Sequence, residues 1–133
     1  MPAIKKVKTK SISWYTKHCD TEFSLLVRSR GVCDASEVSS CGGVLQDAHI
    51  IGRANHTLRW DIVNHLSLCY RHHIFFAHHD PVEFLLWFQK KYPERWIYLL
   101  EARKLLIKRS TEDYKQLLED IKNHNLQKLY VML

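Results

Sequence analysis

The sequence predicts a small α+β domain in which two short strands precede a run of helices and a metal ion staples the strand region together. Three observations carry that expectation. The chain has 133 residues, the size of one domain with one core. Seven of its nine His and three of its four Cys crowd into residues 33–79. Short alternating runs lie inside that stretch, whereas the residues after Pro81 read as helix. The apolar share of 46% and charged share of 26% are ordinary for a globular chain and argue against wholesale disorder.

Taken in order, residues 1–12 predict a flexible basic arm carrying Lys5, Lys6, Lys8 and Lys10, although on charge alone a solvated tail is an equal reading. DTEFSLLVRSRG predicts a short helix that Asp20 caps, with Phe23, Leu26 and Val27 on one face and Gly31 at its end. A loop with Cys33 and Cys41 follows. Gly42 and Gly43 mark a turn, and GGVLQDAHII then alternates as a strand does; HLSLC is the second strand. CYRHHIFFAHH starts a helix that Pro81 stops or redirects. Three helical segments complete the chain: VEFLLWFQKKY, PERWIYLLEARKLLIKR opening at Pro93, and TEDYKQLLEDIKNHNLQKL opening from Ser110 or Thr111. Trp96, Leu99, Leu100, Ala102 and Leu106 recur at roughly helical spacing, and Trp87, Phe88 and Trp96 are expected in the core. The expected domain is thus a core over 13–92 with a helical extension over 93–133 packed on it.

Composition excludes several classes. No apolar run approaches the ~20 residues of a membrane span. The basic N-terminus has no apolar segment behind it, so a secretory signal is not expected, and a reducing, cytoplasmic setting is. The net charge of +6 points to a polyanionic partner. Its distribution is uneven: residues 1–31 carry +5, 32–80 carry −2 and 81–133 carry +3. The acidic middle, where His and Cys cluster, suits a cation, and the basic flanks suit phosphate.

Cys69 is followed at the third position by His72, the knuckle spacing that lets two side chains share one tetrahedral ion. With Cys33 and Cys41 these residues make a closed Cys₃His site for zinc. The competing reading is that the three Cys are small buried hydrophobes. Cys19 has no partner at useful spacing. A second constellation comprises Asp47 and His49, which share a face if QDAH is a strand, together with Asn64 and His73. On a helix His73 points about 100° away from His72, so neighbouring His can serve different sites. Such a set can hydrolyse a phosphodiester: neutral His49 takes a proton from water, and an ion held by His73 and a carboxylate stabilises the charge growing on phosphorus.

The segments CDASEVSSCGG, QDAHIIGR and LRWDIVNHLSLCYRHH resemble the HNH endonucleases, whose fold is the ββα-metal, or His-Me, finger. FSLLVRSRGVC, AHIIGR and LRWDIVN are most similar to phage HNH proteins of the NinG (Rap) recombination-nuclease type. The resemblance covers about residues 22–92 and leaves out the basic arm and the last two helices. It implies that His49 is the general base, that Asn64 orients the base-bearing loop and that His73 holds the catalytic ion. It also implies structural Zn²⁺ on Cys33, Cys41, Cys69 and His72, with His72 standing where many members have Cys. Ala48 stands where many members have an ion-binding Asp or His, which leaves Asp47 as the expected carboxylate ligand. His78 or His79 is a candidate further ligand, although exposure at a helix end is the favoured reading of both. Arg53 and Arg59, between the strands, are candidates for gripping phosphates; alternatively, Arg59 pairs with Asp61.

The expected function is DNA cleavage or nicking that depends on Mg²⁺ or Mn²⁺, with Zn²⁺ or Ni²⁺ as alternative catalytic ions. The expected partners are duplex or branched DNA, a second copy of the chain and a phage or host replication or recombination protein. The alternative is a non-catalytic, zinc-stabilised DNA-binding module associated with recombination.

Overall fold

Helix α1 spans Ile12–Arg28 and is capped by Ser11, whose side chain accepts from the Trp14 amide at 3.1 Å. The computed structural model describes residues 2–3 and 10–132, so Lys5, Lys6 and Lys8 lie outside the described residues. The helix therefore starts well before the expected cap at Asp20. Asp20 sits within α1 and turns its carboxylate to Arg59 and Trp60 instead. A loop leads to strand β1 (Leu45–His49), and a further loop and a short 3₁₀ turn lead to strand β2 (His65–Cys69). A wide helical turn, His72–His78, follows. Then come α2 (Pro81–Lys91), α3 (Pro93–Ala102), α4 (Thr111–Lys122) and a closing 3₁₀ turn, Leu126–Leu129. Pro81 thus opens a helix as well as ending the one before it, with Asp80 as the cap.

The strands pair antiparallel, with Leu45 opposite Cys69 and His49 opposite His65. Alternation divides the two-stranded sheet into unlike faces. Ala48, Leu66 and Leu68 are buried with Leu58, Phe84, Phe88, Leu99 and Ala102, so this face packs on α2 and α3. The other face carries Asp47, His49, His65 and Ser67 and turns toward α1, where the Phe23 ring lies 4.2 Å from that of His65.

A second apolar cluster joins α1 to α4. Tyr15, Cys19, Phe23, Leu26 and Val27 pack with Trp60, Tyr114, Leu118, Ile121 and Leu129. The Cys19 thiol is pushed up to about 12, by burial first and by neighbouring Asp20 second, which makes it an inert core group. Buried Asp61 links three segments: it accepts from the Tyr98 hydroxyl and from the amides of Val63 and Val131. Its partner is therefore not Arg59.

Helix α3 ends at Ala102, short of the expected Arg109. The chain beyond is bound to the loop between the strands: Thr57 donates to the Leu105 carbonyl, and the Ile107 amide donates back to Thr57 at 3.3 Å. Leu99 and Ala102 are buried as expected, whereas Leu106 is 94% exposed. Among the described residues no helix is long and apolar enough to cross a membrane.

Candidate metal centre and adjoining cleft

Cys33, Cys41, Cys69 and His72 converge, and one ligand atom from each lies within 4.8 Å of the others. The His72 Nδ1 is 3.3, 3.7 and 3.2 Å from the sulfurs of Cys33, Cys41 and Cys69. Two ligands on one tetrahedral zinc ion, at ordinary Zn–S and Zn–N bond lengths, stand about 3.6 Å apart, so the cluster has the dimensions of a metal site. Each ligand is placed by local structure. Cys69 ends β2, and His72 begins the wide turn one knuckle later. Gly43, with φ of +80°, lets the Cys41 loop pass Tyr70; a Cβ there would lie 2.6 Å from the Tyr70 Cβ. The Cys69 and His72 amides donate to the sulfurs of Cys33 and Cys69, and Ser39 Oγ lies 2.9 Å from His72 Nε2. These contacts orient the ligands from outside, as metal sites require. Desolvation pushes the His72 imidazole below its ordinary range and so favours the neutral form that ligates.

At the opposite end of the strands a cleft of about 430 Å³ opens between α1, the loop between the strands and the wide helical turn. Asp47, His49, His65, His73, His78, Arg53 and Arg59 all line it. The His49 imidazole is pushed down to about 4, chiefly by burial and next by the neighbouring His65, so it is neutral over the physiological range. Asn64, fully buried, braces the backbone that follows His49. Its Oδ1 accepts from the Ile51 amide at 2.7 Å, and its Nδ2 donates to the carbonyls of Ile51 and Leu58. Arg95, reaching over from α3, donates to the carbonyls of Val63 and His65 on either side of Asn64.

His73 Nδ1 lies 2.7 Å from the side-chain oxygen of Gln46, which accepts a hydrogen bond from the Nδ1–H and leaves Nε2 to face His78 Nε2 at 3.1 Å. On an α-helix residues five apart point about 140° away from one another. The turn here is wound with i→i+5 bonding, as in the bond from the His79 amide to the Ile74 carbonyl, and this winding brings His73 and His78 together. His73 is held below its ordinary range by burial first and by the neighbouring His78 second.

No protein-family model, curated protein or solved structure matches the chain.

The structure places the remaining predicted residues as follows. Asp47 is a cleft residue, with its Oδ1 2.7 Å from His65 Nδ1. Arg53 lines the cleft with its guanidinium exposed. Arg59 lines it too, but its Nε and one terminal nitrogen donate to Asp20 at 3.0 and 2.6 Å, so a phosphate would have to compete with a carboxylate. Lys10 stands over the Trp14 ring at 5.6 Å. Sequence reasoning missed His65 as a cleft residue and gave the ligand reading of His78 second place. His65 was findable, because it shares strand parity with Ser67 and Cys69 and so falls on the site face. The approach of His78 to His73 was not legible, because it depends on helical winding that no residue pattern announced.

Proposed function

We propose that the chain is a divalent-metal-dependent endonuclease of the HNH type, stapled by a structural zinc ion on Cys33, Cys41, Cys69 and His72. The observation that carries this reading is the convergence in one cleft of a neutral, half-buried imidazole, a buried Asn bracing the loop beside it, and a pair of imidazole nitrogens aimed at each other. His49 accepts the proton of the attacking water. Asn64 keeps the Ile50–Leu58 loop, and with it Arg53, at a fixed distance from His49. His73 and His78, whose Nε2 atoms face each other at 3.1 Å, are the residues that would hold the catalytic ion, with Asp47 lining the same cleft as the carboxylate. Such an ion, when bound, offsets the negative charge that grows on the phosphate. Arg53, which among the described residues has no carboxylate partner, is the cleft cation suited to the flanking phosphate of a DNA strand.

The test is cleavage of supercoiled plasmid with Mg²⁺ or Mn²⁺, against EDTA and His49→Ala controls. Metal-dependent nicking that His49→Ala abolishes is the expected result; equal behaviour of the two proteins rejects the mechanism. The second reading, a non-catalytic DNA-binding module with the same metal staple, is favoured by the Asp47–His65 contact, which occupies a carboxylate oxygen that catalysis would use. It predicts salt-sensitive DNA binding without cleavage under any divalent ion.

A further inference from the structure

Asp47, His49 and His65 form a second convergent group on the polar face of the sheet. One ligand atom from each lies within 4.8 Å of the other two. The strand register produces this arrangement: His49 stands directly opposite His65, and Asp47 lies two residues earlier on the same face. The two imidazole rings are 4.4 Å apart between centroids.

His65 is the informative member. Its side chain is 1% exposed, its Nε2 lies 2.8 Å from the Arg59 carbonyl oxygen and its Nδ1 lies 2.7 Å from Asp47 Oδ1. A carbonyl only accepts, so Nε2 carries a hydrogen. Nδ1 then meets a carboxylate oxygen at contact distance, an arrangement that holds only with a proton or a metal cation between them. The outer N–H···O=C bond is the one that ligating imidazoles make, and it fixes the tautomer that leaves Nδ1 free to ligate. Opposite Asp47, the fully buried Ser67 carries a hydroxyl with no hydrogen-bond partner among the described residues, which adds an unsatisfied polar atom to the same face.

We propose that Asp47, His49 and His65 form a two-His, one-carboxylate site for a borderline transition ion such as Zn²⁺, Co²⁺ or Ni²⁺, and that an ion bound there ties up the His49 nitrogen. The site differs from the one assigned above to the catalytic ion, which joins Asp47 to His73 and His78 on the wide turn. Two imidazoles beside one carboxylate suit these borderline ions, for which imidazole is a preferred ligand. The binding claim stands without any nuclease activity. Only its consequence, that low concentrations of transition metal arrest Mg²⁺-supported cleavage, rests on the proposed function.

The deciding experiment titrates Co²⁺ into the full chain with its sulfur cluster already filled, following d–d absorption and metal per chain. One further equivalent is expected, without sulfur-to-metal charge-transfer bands. It should bind at least about tenfold more weakly in His49→Ala and in His65→Phe, and unchanged in His73→Ala. Circular dichroism and retention of the cluster ion check that His65→Phe is folded, and the less buried His49→Ala keeps the test decisive if it is not. Absence of a further equivalent in the wild type overturns the proposal. So does its loss in His73→Ala with retention in His49→Ala, which would put the ion on the wide turn. If the wild type binds the extra Co²⁺ yet cuts no DNA, the site stands and the nuclease reading alone falls.

Discussion

The same pair of strands carries a group of ligands at each end, and the two groups are built on opposite plans. At the Leu45–Cys69 end, three sulfurs and one imidazole converge from positions up to 39 residues apart and close around one point. At the His49–His65 end, carboxylate and imidazole groups line an open cleft and are held by hydrogen bonds to one another and to the backbone. His72 and His73 are adjacent in sequence, yet one belongs to each group, because neighbouring residues of a helical turn point in different directions. The difference separates two tasks. A saturated ligand shell fixes the chain, and an unsaturated one leaves room for a substrate. Disturbing one end should therefore show up in stability, and disturbing the other in chemistry.

The largest expected effect is at the closed end. Cys33→Ser or Cys69→Ser removes one ligand from a cluster that ties the Cys33–Cys41 loop to the end of β2, in a domain with two small apolar clusters. Structural zinc supplies on the order of 10 kcal/mol to small domains, comparable with the whole stability of such a fold. Loss of more than about 5 kcal/mol is expected, measured by thermal or urea unfolding, and a strong chelator should reproduce it in the wild type. Cys19→Ala, in the α1–α4 cluster, is the internal comparison. It removes a buried sulfur but no ligand and should cost only about 1–2 kcal/mol. Equal losses at Cys19 and Cys69 would mean that the four-residue cluster is packing and not a metal site.

At the open end the comparison predicts the reverse. His49→Ala should lower cleavage by about 10²–10⁴-fold while moving the unfolding midpoint little. The pH dependence sharpens this. Because the folded protein holds His49 at about 4, against an ordinary value of 6.5, the imidazole proposed as the base is uncharged throughout the neutral range. The acid limb of cleavage should therefore fall near pH 4 and not near 6.5. The same shift has a stability consequence. Between pH 6.5 and about 4 the unfolded chain binds a proton that folded His49 refuses, so this residue's contribution is complete above 6.5 and declines as the pH falls toward 4. His49→Ala should flatten that decline.

Asn64 tests whether the two ends are independent. It belongs to neither ligand group, yet it braces the cleft loop with three side-chain hydrogen bonds from a fully buried position. Asn64→Ala should cost about 2–4 kcal/mol, through lost bonds and the backbone groups left unpaired. Cleavage should fall with it, and the cluster ion should stay bound. Loss of that ion in Asn64→Ala would show that the loop and the sulfur cluster fold as one unit.

How much of this was legible follows from how local each cause is. The strands were readable because a pleated segment with one buried face must alternate, and LQDAH and HLSLC lie between clear breaks. The sulfur cluster was readable because Cys69 and His72 lie within one turn of chain. The start of α1 was misplaced although Ser11 carried the capping signal; Asp20 looked like a cap and was needed instead by Arg59, 39 residues away. The early end of α3 depends on Thr57, about 50 residues back, and no local pattern encodes it. His78 depends on a winding that its own sequence does not announce.

The smallest expected effect concerns the Asp20–Arg59 pair on the cleft wall, where the line between strut and substrate contact is least sharp. Asp20 Oδ1 accepts from both Arg59 Nε and Trp60 Nε1, and Oδ2 accepts from a terminal nitrogen of Arg59. The guanidinium fork fits this carboxylate in a way an ammonium does not, so Arg59→Lys should cost about 1 kcal/mol with the charge unchanged. Asp20→Asn should cost a similar amount while releasing a cation toward the cleft. If Arg59 is only a strut, DNA affinity and its salt dependence stay the same in Asp20→Asn. If Arg59 can take a phosphate once the carboxylate lets go, binding tightens, and the slope of log affinity against log salt steepens by about one. The present geometry favours the strut, because two of the guanidinium's nitrogens already donate to Asp20, and Asp20→Asn with an unchanged slope is the result expected.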